Sequence, residues 1–355
     1  MLDAKEIVMK WRGVNYDVGI EFGDRYHSRP VFDPDIARRE LEIIHNDLHC
    51  NAVRISGTDP DRLTVAAQHA LDLGLEVWLS PHLIDRPPQQ TLDYIVRCAR
   101  VAQSLRQRRD AVVFVLACEL TLFMKGIIKG STVMDRTRNP VTLGLRLKIL
   151  KTHNKPLNAF LTRTCAAVRE VFDGPITYAA IPIEAVDWTL FDIIGVDYYR
   201  AKRNRATYGE SLTPLFSYDK PVVITEVGLC AYRGAEDKGP HGFMIVEDTP
   251  SPPGLQLNGD YVRDESLQAR ELTDMLAILD KAGAHGTFVF TFVTPALPHS
   301  LQPRGDLDLA GYGLVTSYSD HNGDSYPGLP WEPKESFHAV ADFYRTLDDE
   351  APGNH

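Results

Sequence analysis

The chain has 355 residues, 44% of them hydrophobic and 24% charged, with 25 glycines and 23 prolines. That ordinary globular composition excludes collagen-like, coiled-coil and wholly disordered chains, and the length suits two domains or one closed α/β barrel with a large core. Thirty-eight basic residues against 48 acidic ones give a net charge of −10, a sign with no general attraction for nucleic acid or anionic membrane.

The opening segment MLDAKEIVMKWRGVNYD has no apolar stretch followed by a small-residue cleavage site, and no run approaches 18 apolar residues. Neither an export signal nor a membrane span is expected. Five cysteines, Cys50, Cys98, Cys118, Cys165 and Cys230, are widely spaced with no CxxC. That pattern implies reduced thiols and a cytoplasmic location, and it disfavours zinc.

Along the chain, β-branched apolar runs alternate with stretches of helical period. Strand Arg12–Asp17 (RGVNYD) precedes helix Asp33–His49, which opens on Asp-Pro, an N-cap followed by a first-turn proline. Strand Asn51–Ser56 (NAVRIS) precedes helix Asp59–Leu73, which opens in the same way. Strand Leu75–Ser80 (LEVWLS) precedes helix Thr91–Leu105, and strand Ala111–Cys118 (AVVFVLAC) precedes a long loop, Leu120–Pro156, and helix Leu157–Val171. Strands Pro175–Ala180, Asp192–Tyr199 and Pro221–Glu226 follow, then the loop Cys230–Arg263 and helix Asp264–Leu279. Strand Gly286–Val293 (GTFVFTFV) leads into the loop Thr294–Pro333 and a last helix, Pro333–Leu347.

These runs alternate little between apolar and polar, as strands buried on both faces do. Buried strands interleaved with helices imply parallel βαβ units, and eight of them favour a single (β/α)8 barrel over a doubly wound sheet. No shift of composition marks a domain linker, so 1–355 reads as one catalytic domain. The three long loops follow strands four, seven and eight, which puts them on the C-terminal face, where barrel enzymes build their sites.

Strand four ends in Cys118-Glu119 and strand seven in Thr225-Glu226. A glutamate at the end of a buried apolar strand needs a partner or a function. Two of them, three strands apart in an eight-stranded barrel, face each other across its mouth. Glycoside cleavage needs such a pair: one carboxylic acid protonates the leaving oxygen, and one carboxylate attacks the anomeric carbon or activates water.

On these residues the chain resembles the clan A glycoside hydrolases, retaining (β/α)8 enzymes with a Glu acid/base after strand four and a Glu nucleophile after strand seven. ITEVG at 224–228 resembles the nucleophile segment, and NAVRI at 51–55 the second strand, whose Arg supports the nucleophile. GVNY at 13–16 is similar to the first strand, DIIGVDYY at 192–199 to the sixth, and WEPKESF at 331–337 to the start of the last helix. The resemblance implies Glu226 as nucleophile, Glu119 as acid/base, Arg54 beside Glu226 and Tyr199 hydrogen-bonded to it, with Tyr198 turned outward. A guanidinium beside the nucleophile favours its charged form, whereas the acid/base must keep its proton near neutrality.

Three positions depart from the clan. Cys118 stands where the clan usually has an Asn that contacts the sugar 2-hydroxyl, and a thiol is a poor substitute. Asp197 stands where related enzymes often have Asn. The clan's Trp platform at the end of strand eight is missing from FTFVTP, which leaves Phe292 as the nearest aromatic.

Asn15 and Tyr16, closing strand one, and His82, closing strand three, are further candidates to line the mouth. Trp188 and Trp331 suit stacking on a ring or buried packing. His45 and His49 stand at i, i+4 in HNDLH but without the HExxH pattern of a zinc site, and no GxGxxG or GxxxxGK[ST] occurs. No cofactor or metal is expected. Leu120–Pro156 carries eight basic residues, Lys125, Lys129, Arg136, Arg138, Arg146, Lys148, Lys151 and Lys155, against Asp135. That is either a solvated face or a site for an anionic substrate or partner.

The reading is a retaining glycosidase acting on a small glycoside through Glu119 and Glu226, with no cofactor. A second reading keeps the barrel and repurposes its acid/base pair for dehydration, cyclisation or lyase chemistry, and a third is a non-catalytic binding protein. Sugar identity, anomeric preference and oligomeric state are not legible.

Overall fold

The computed structural model describes residues 9–23, 26–138, 152–250 and 253–349. Eight parallel strands close into a barrel in which each pairs with its sequence neighbour and the last with the first. They are β1 (Trp11–Gly19), β2 (Ala52–Gly57), β3 (Glu76–Pro81), β4 (Val112–Cys118), β5 (Ile176–Ala180), β6 (Ile194–Asp197), β7 (Val222–Val227) and β8 (Gly286–Val289). Each expected run holds one strand. The long helices are α1 (Pro34–Asn46), α2 (Pro60–Leu73), α3 (Pro88–Arg108), α4 (Asn154–Arg169), α5 (Glu265–Lys281) and α6 (Glu335–Asp349).

The helix starts follow from capping chemistry. The Asp33 carboxylate accepts from the backbone N–H of Asp35 and Ile36, Asp59 from Asp61, and Asp264 from Leu267. Each such cap is worth about 1 kcal/mol. Helix α2 stops at Gly74, whose φ of 99° is the left-handed conformation that glycine adopts without strain. Short 3-10 turns replace a full helix after β5 (Trp188–Leu190) and after β6 (Arg205–Thr207 and Glu210–Tyr218). Pro214 lies inside the last of these, where its ring and missing N–H oppose an α-helical ladder.

Side chains alternate across each strand, so odd residues of β1 face the barrel axis and even residues face the helices. The lower interior is packed by Trp11, Trp78, Val113, Val115, Val223 and Phe288. Trp78 and Phe288 lie 4.8 Å apart, centroid to centroid, and Trp11 meets Trp78 edge-on at 5.4 Å. Gly13 makes room for Phe288, since a Cβ there would stand 2.3 Å from its ring.

Toward the C-terminal ends the interior turns polar, and two register shifts make that possible. Val115 of β4 pairs with Thr177 and Cys118 with Ala179, an advance of three residues against two. Val196 of β6 pairs with Ile224 of β7, then Asp197 with Glu226. Each shift adds one residue to a strand, as a bulge does. Strict alternation from Val115 and Val223 would turn Cys118 and Glu226 outward; the extra residue turns both toward the axis.

Among the described residues, no helix is long and apolar enough to cross a membrane.

Candidate active site

Arg54 of β2 is fully buried and organises the mouth. Its Nε donates to Ser80 Oγ at 3.2 Å, and its Nη1 donates to Asn15 Oδ1 at 3.1 Å and to the Thr225 carbonyl at 3.2 Å. The same Nη1 donates to Glu226 Oε1 at 2.8 Å and lies 3.8 Å from Asp197 Oδ1. Asn15 is tied down by its own amide, which donates to the Thr225 carbonyl at 3.0 Å. Four hydrogen bonds through Nε and Nη1 hold the guanidinium in place, three of them to groups other than the carboxylate.

The second oxygen of Glu226 accepts the Tyr199 hydroxyl at 2.8 Å. Burial, and next the charge of Glu226, push the Tyr199 phenol well above its ordinary pKa, so it serves as a donor. Tyr199 packs edge-on against Tyr312 at 5.7 Å, and Tyr312 against Phe290 at 5.8 Å. Tyr198 points away and stacks on Tyr208 at 4.7 Å.

Asp197 is buried between β4 and β7. It accepts from Thr225 Oγ1 at 2.7 Å and is hydrogen-bonded to the Cys118 thiol at 3.3 Å. Burial, then the negative charge of Glu226, push its carboxyl up to about 8, against a smaller opposing effect of Arg54. Near neutrality it therefore holds a proton. The Cys118 thiol, 3.9 Å from Glu226 Oε1, is raised well above its ordinary pKa by burial and then by Asp197.

Glu119 follows β4 with φ 43° and ψ 45°, a left-handed conformation that costs a non-glycine residue about 1–3 kcal/mol. Burial raises its pKa well above the usual carboxylate range, and the neighbouring carboxyl groups of Asp197, Glu226 and Glu184 raise it further. The two glutamates therefore differ in kind. Glu226 is ion-paired to a fixed guanidinium, and Glu119 has no such cation and is pushed toward its protonated form by burial and by neighbouring carboxyls.

His82 lies behind this group. Its Nδ1 is 3.0 Å from the Ser80 carbonyl, which assigns the proton to that nitrogen, and its ring is 5.9 Å from Phe123. Burial, then Arg54, lower its pKa to about 3, so it is a neutral imidazole. The cavity it shares with Tyr94, Cys118 and Phe123 is about 10 Å³, room for at most one water.

Two expected residues lie elsewhere. Tyr16 does not line the mouth. It is even-numbered on β1, and its hydroxyl meets Glu40 of α1 at 2.5 Å and Arg29 at 3.2 Å, outside the barrel. Phe292 is also turned outward, fully buried against Tyr16 at 6.3 Å and Trp331 at 5.3 Å. The partly exposed aromatic at the end of β8 is Phe290. Its position follows from the inward Phe288 by alternation, which nearness to the motif did not take into account. Trp188 and Trp331 are both buried, and Trp331 donates its indole N–H to Glu40 at 2.9 Å.

Among the described residues, one set of donors has metal-like spacing, Cys118, Asp197 and Glu226, whose ligand atoms lie within 4.8 Å of one another. Arg54 Nη1 also reaches this group, 2.8 Å from Glu226 Oε1 and 3.8 Å from Asp197 Oδ1, and supplies a positive charge there. His45 and His49 do not pair, because α1 ends at Asn46 and His49 has φ 56°, which breaks the helical spacing; His45 Nδ1 meets the Cys50 carbonyl instead.

The basic segment resolves in part. Arg136 is fully buried against Asp85. Lys125, Lys129, Arg138 and Lys155 lie among the described residues, and Arg146, Lys148 and Lys151 lie outside them. The loops after β7 and β8 are joined by ion pairs of the half-buried Arg263 to buried aspartates. Arg263 pairs with Asp306 at 2.9 Å and Asp308 at 2.8 Å, and Lys334 pairs with Asp308 at 2.9 Å. Sequence reasoning missed Glu184, which accepts from the backbone N–H of Thr121 at 2.9 Å and from the Tyr178 hydroxyl at 2.9 Å.

No protein-family model matches the sequence, and no curated protein matches it. Solved structures do. A GH113 beta-1,4-mannanase superposes with a TM-score of 0.60 at 14% identity, over 95% of this chain and 99% of that one. The GH113 beta-mannanase of Alicyclobacillus acidocaldarius gives 0.59 at 17% identity, over 95% and 97%. A beta-glucuronidase of Parabacteroides merdae gives 0.57 at 13% identity, over 94% of this chain and 37% of that one. At these identities the likeness establishes a shared (β/α)8 barrel.

Proposed function

We propose that this protein is a retaining glycoside hydrolase acting on a small glycoside. The observation that carries the reading is the pairing of unlike glutamates. Glu226 is fixed between Arg54 Nη1 and the Tyr199 hydroxyl, both at 2.8 Å, while Glu119, at the end of β4, is pushed toward its protonated form by burial and by the nearby carboxyls. Hydrolases on the same barrel, mannanases and a glucuronidase among them, support the substrate class.

In this mechanism Glu226 attacks the anomeric carbon while Glu119 gives its proton to the departing glycosidic oxygen. The aglycone leaves as an alcohol and a glycosyl ester forms on Glu226. Glu119, now a carboxylate, takes a proton from water, which attacks the anomeric carbon and releases the sugar and Glu226. Arg54 and Tyr199 hold one oxygen each of Glu226, so the attack geometry is set before substrate arrives. No cofactor enters the scheme, and a cytoplasmic location accords with a small substrate.

The test is a panel of aryl glycosides, mannosides and glucuronides included, with wild type and Glu226→Ala, with and without azide. The expected result is wild-type turnover, its loss in the variant, and rescue by azide as a glycosyl azide of inverted configuration. Folded wild type that turns over no glycoside refutes the reading. One observation favours a second reading, acid/base chemistry on a non-sugar metabolite. Cys118 and Asp197 bond to each other at 3.3 Å and offer no amide to a sugar hydroxyl.

A further inference from the structure

Glu119 is the first residue of a turn whose remaining parts are tied down by side chains distant in sequence. It is followed by a single helical turn, Leu120–Phe123. On the leading side, the Glu119 N–H donates to the Ala179 carbonyl at 2.9 Å, and the Leu120 N–H to the Tyr178 hydroxyl at 2.8 Å. The Thr121 N–H donates to Glu184 Oε1 at 2.9 Å, and Tyr178 in turn donates to Glu184, so one buried carboxyl ties both together. On the trailing side, Arg136 Nε donates to the Leu122 carbonyl at 2.5 Å, and Nη2 to the Phe123 carbonyl at 3.4 Å. The Asp85 N–H also donates to the Phe123 carbonyl, at 2.8 Å, and the Asp85 carboxylate pairs with Arg136.

This is an acid at the start of a turn and a base at its end, the order that suits a helix dipole. All three charged residues are buried: Arg136 is 0% exposed, Glu184 8% and Asp85 9%. A buried charge is retained only where it is fully used. Here Glu184 and Arg136 both bond the main chain that follows Glu119, a segment too short to hold itself, and the Asp85 carboxylate pairs with Arg136, whose Nη1 also reaches the Gly130 carbonyl at 2.9 Å. The left-handed backbone of Glu119 requires such support, because nothing local favours it.

Resting on the glycosidase reading, we infer that Glu184 and the Arg136–Asp85 pair are positioning residues for Glu119: they fix the turn that aims the acid at the glycosidic oxygen. Arg136 is then the part of the basic segment that works for the reaction, through the backbone and not through substrate.

The experiment compares wild type with Glu184→Ala and Arg136→Lys. A lysine keeps the charge but has one nitrogen, and it cannot serve two carbonyls and a carboxylate together. Each protein is assayed on aryl glycosides with poor and with highly activated leaving groups. Loss of acid assistance is expected to cut kcat/KM for the poor leaving group by about 10²-fold. For the activated one, which needs no proton, the change is expected to stay within about threefold. A proportional fall on both substrates, or on neither, overturns the inference. A second readout needs no turnover: the ¹³C carboxyl titration of Glu119, assigned by difference from Glu119→Gln. Its midpoint is expected to fall by about one pH unit or more in Arg136→Lys as water reaches the freed carboxyl, and further in Glu184→Ala, where the nearby carboxyl is also lost. An unchanged midpoint refutes the positioning role. A wild type that turns over no glycoside, with the midpoint shift intact, rejects the glycosidase reading and leaves the positioning role standing. If Arg136→Lys fails to fold, Glu184→Ala decides alone.

Discussion

Replacing Arg54 by methionine tests the centre of the site. The residue is 0% exposed and pairs with Glu226, which is itself 9% exposed, at 2.8 Å. Methionine fills similar space but leaves that carboxylate buried without its cation. Breaking one side of a buried pair costs about 3–5 kcal/mol, more than the pair itself contributes, because the orphaned charge remains. Unfolding entropy scales with length, and 355 residues give about 0.75 kcal/mol per kelvin, so a loss of ~4 kcal/mol lowers Tm by about 5 °C. The double variant Arg54→Met/Glu226→Gln removes the orphaned charge and should recover roughly half of that loss. Calorimetry on wild type, both single variants and the double variant reads this directly. A single variant melting within about 1 °C of wild type, or strictly additive effects, would show that the pair holds nothing.

Three further outcomes are expected. Tyr199→Phe removes one hydrogen bond to a charged acceptor and should lower kcat by roughly 10- to 100-fold with little change in fold, measured on any hydrolysed aryl glycoside. Glu119→Ala should keep most activity toward highly activated glycosides and lose about 10²–10⁴-fold on poor leaving groups; an equal loss on both would remove the acid role. Asp197 gives a pH signature. Its folded carboxyl titrates near 8 against an ordinary 3.8, so the folded state binds the extra proton. Stability then declines as pH rises between those limits, by at most about 1.4 kcal/mol per unit from this group. Asp197→Asn should be relatively more stable than wild type above pH 8 and show no such gain near pH 4. Parallel stability curves from pH 4 to 8 would contradict the assignment.

The barrel was legible because burial on both faces leaves its mark on every strand. The runs NAVRIS and PVVITE show it, and the Asp-Pro caps at 33 and 59 mark the helices that follow them. Cys118 and Glu226 were found by motif, yet plain alternation turns both outward; only the register shifts bring them in, and no local composition announces a shift. Tyr16 failed for the opposite reason. Alternation from Asn15 already sends it toward the helices, where Arg29 and Glu40 accept it. Glu184 lies in an irregular stretch, IPIEAVD, 65 residues beyond the glutamate it steadies, with no periodicity to betray it. Arg136 reads in the sequence as one of eight cations of a solvated face or of an anion site, because charge balance along a segment carries no information about burial.

The aromatic floor formed by Trp11, Trp78 and Phe288 has a consequence for traffic. Glu76 fastens it from below, accepting both indole N–H groups, at 2.6 Å from Trp11 and 3.2 Å from Trp78. The barrel is thereby a cup and not a tube. On the glycosidase reading proposed above, substrate, departing alcohol, incoming water and released sugar would all pass through the C-terminal mouth of the barrel. Under that proposed mechanism occupancy would order the events: water would reach the glycosyl ester only after the aglycone had vacated the same doorway.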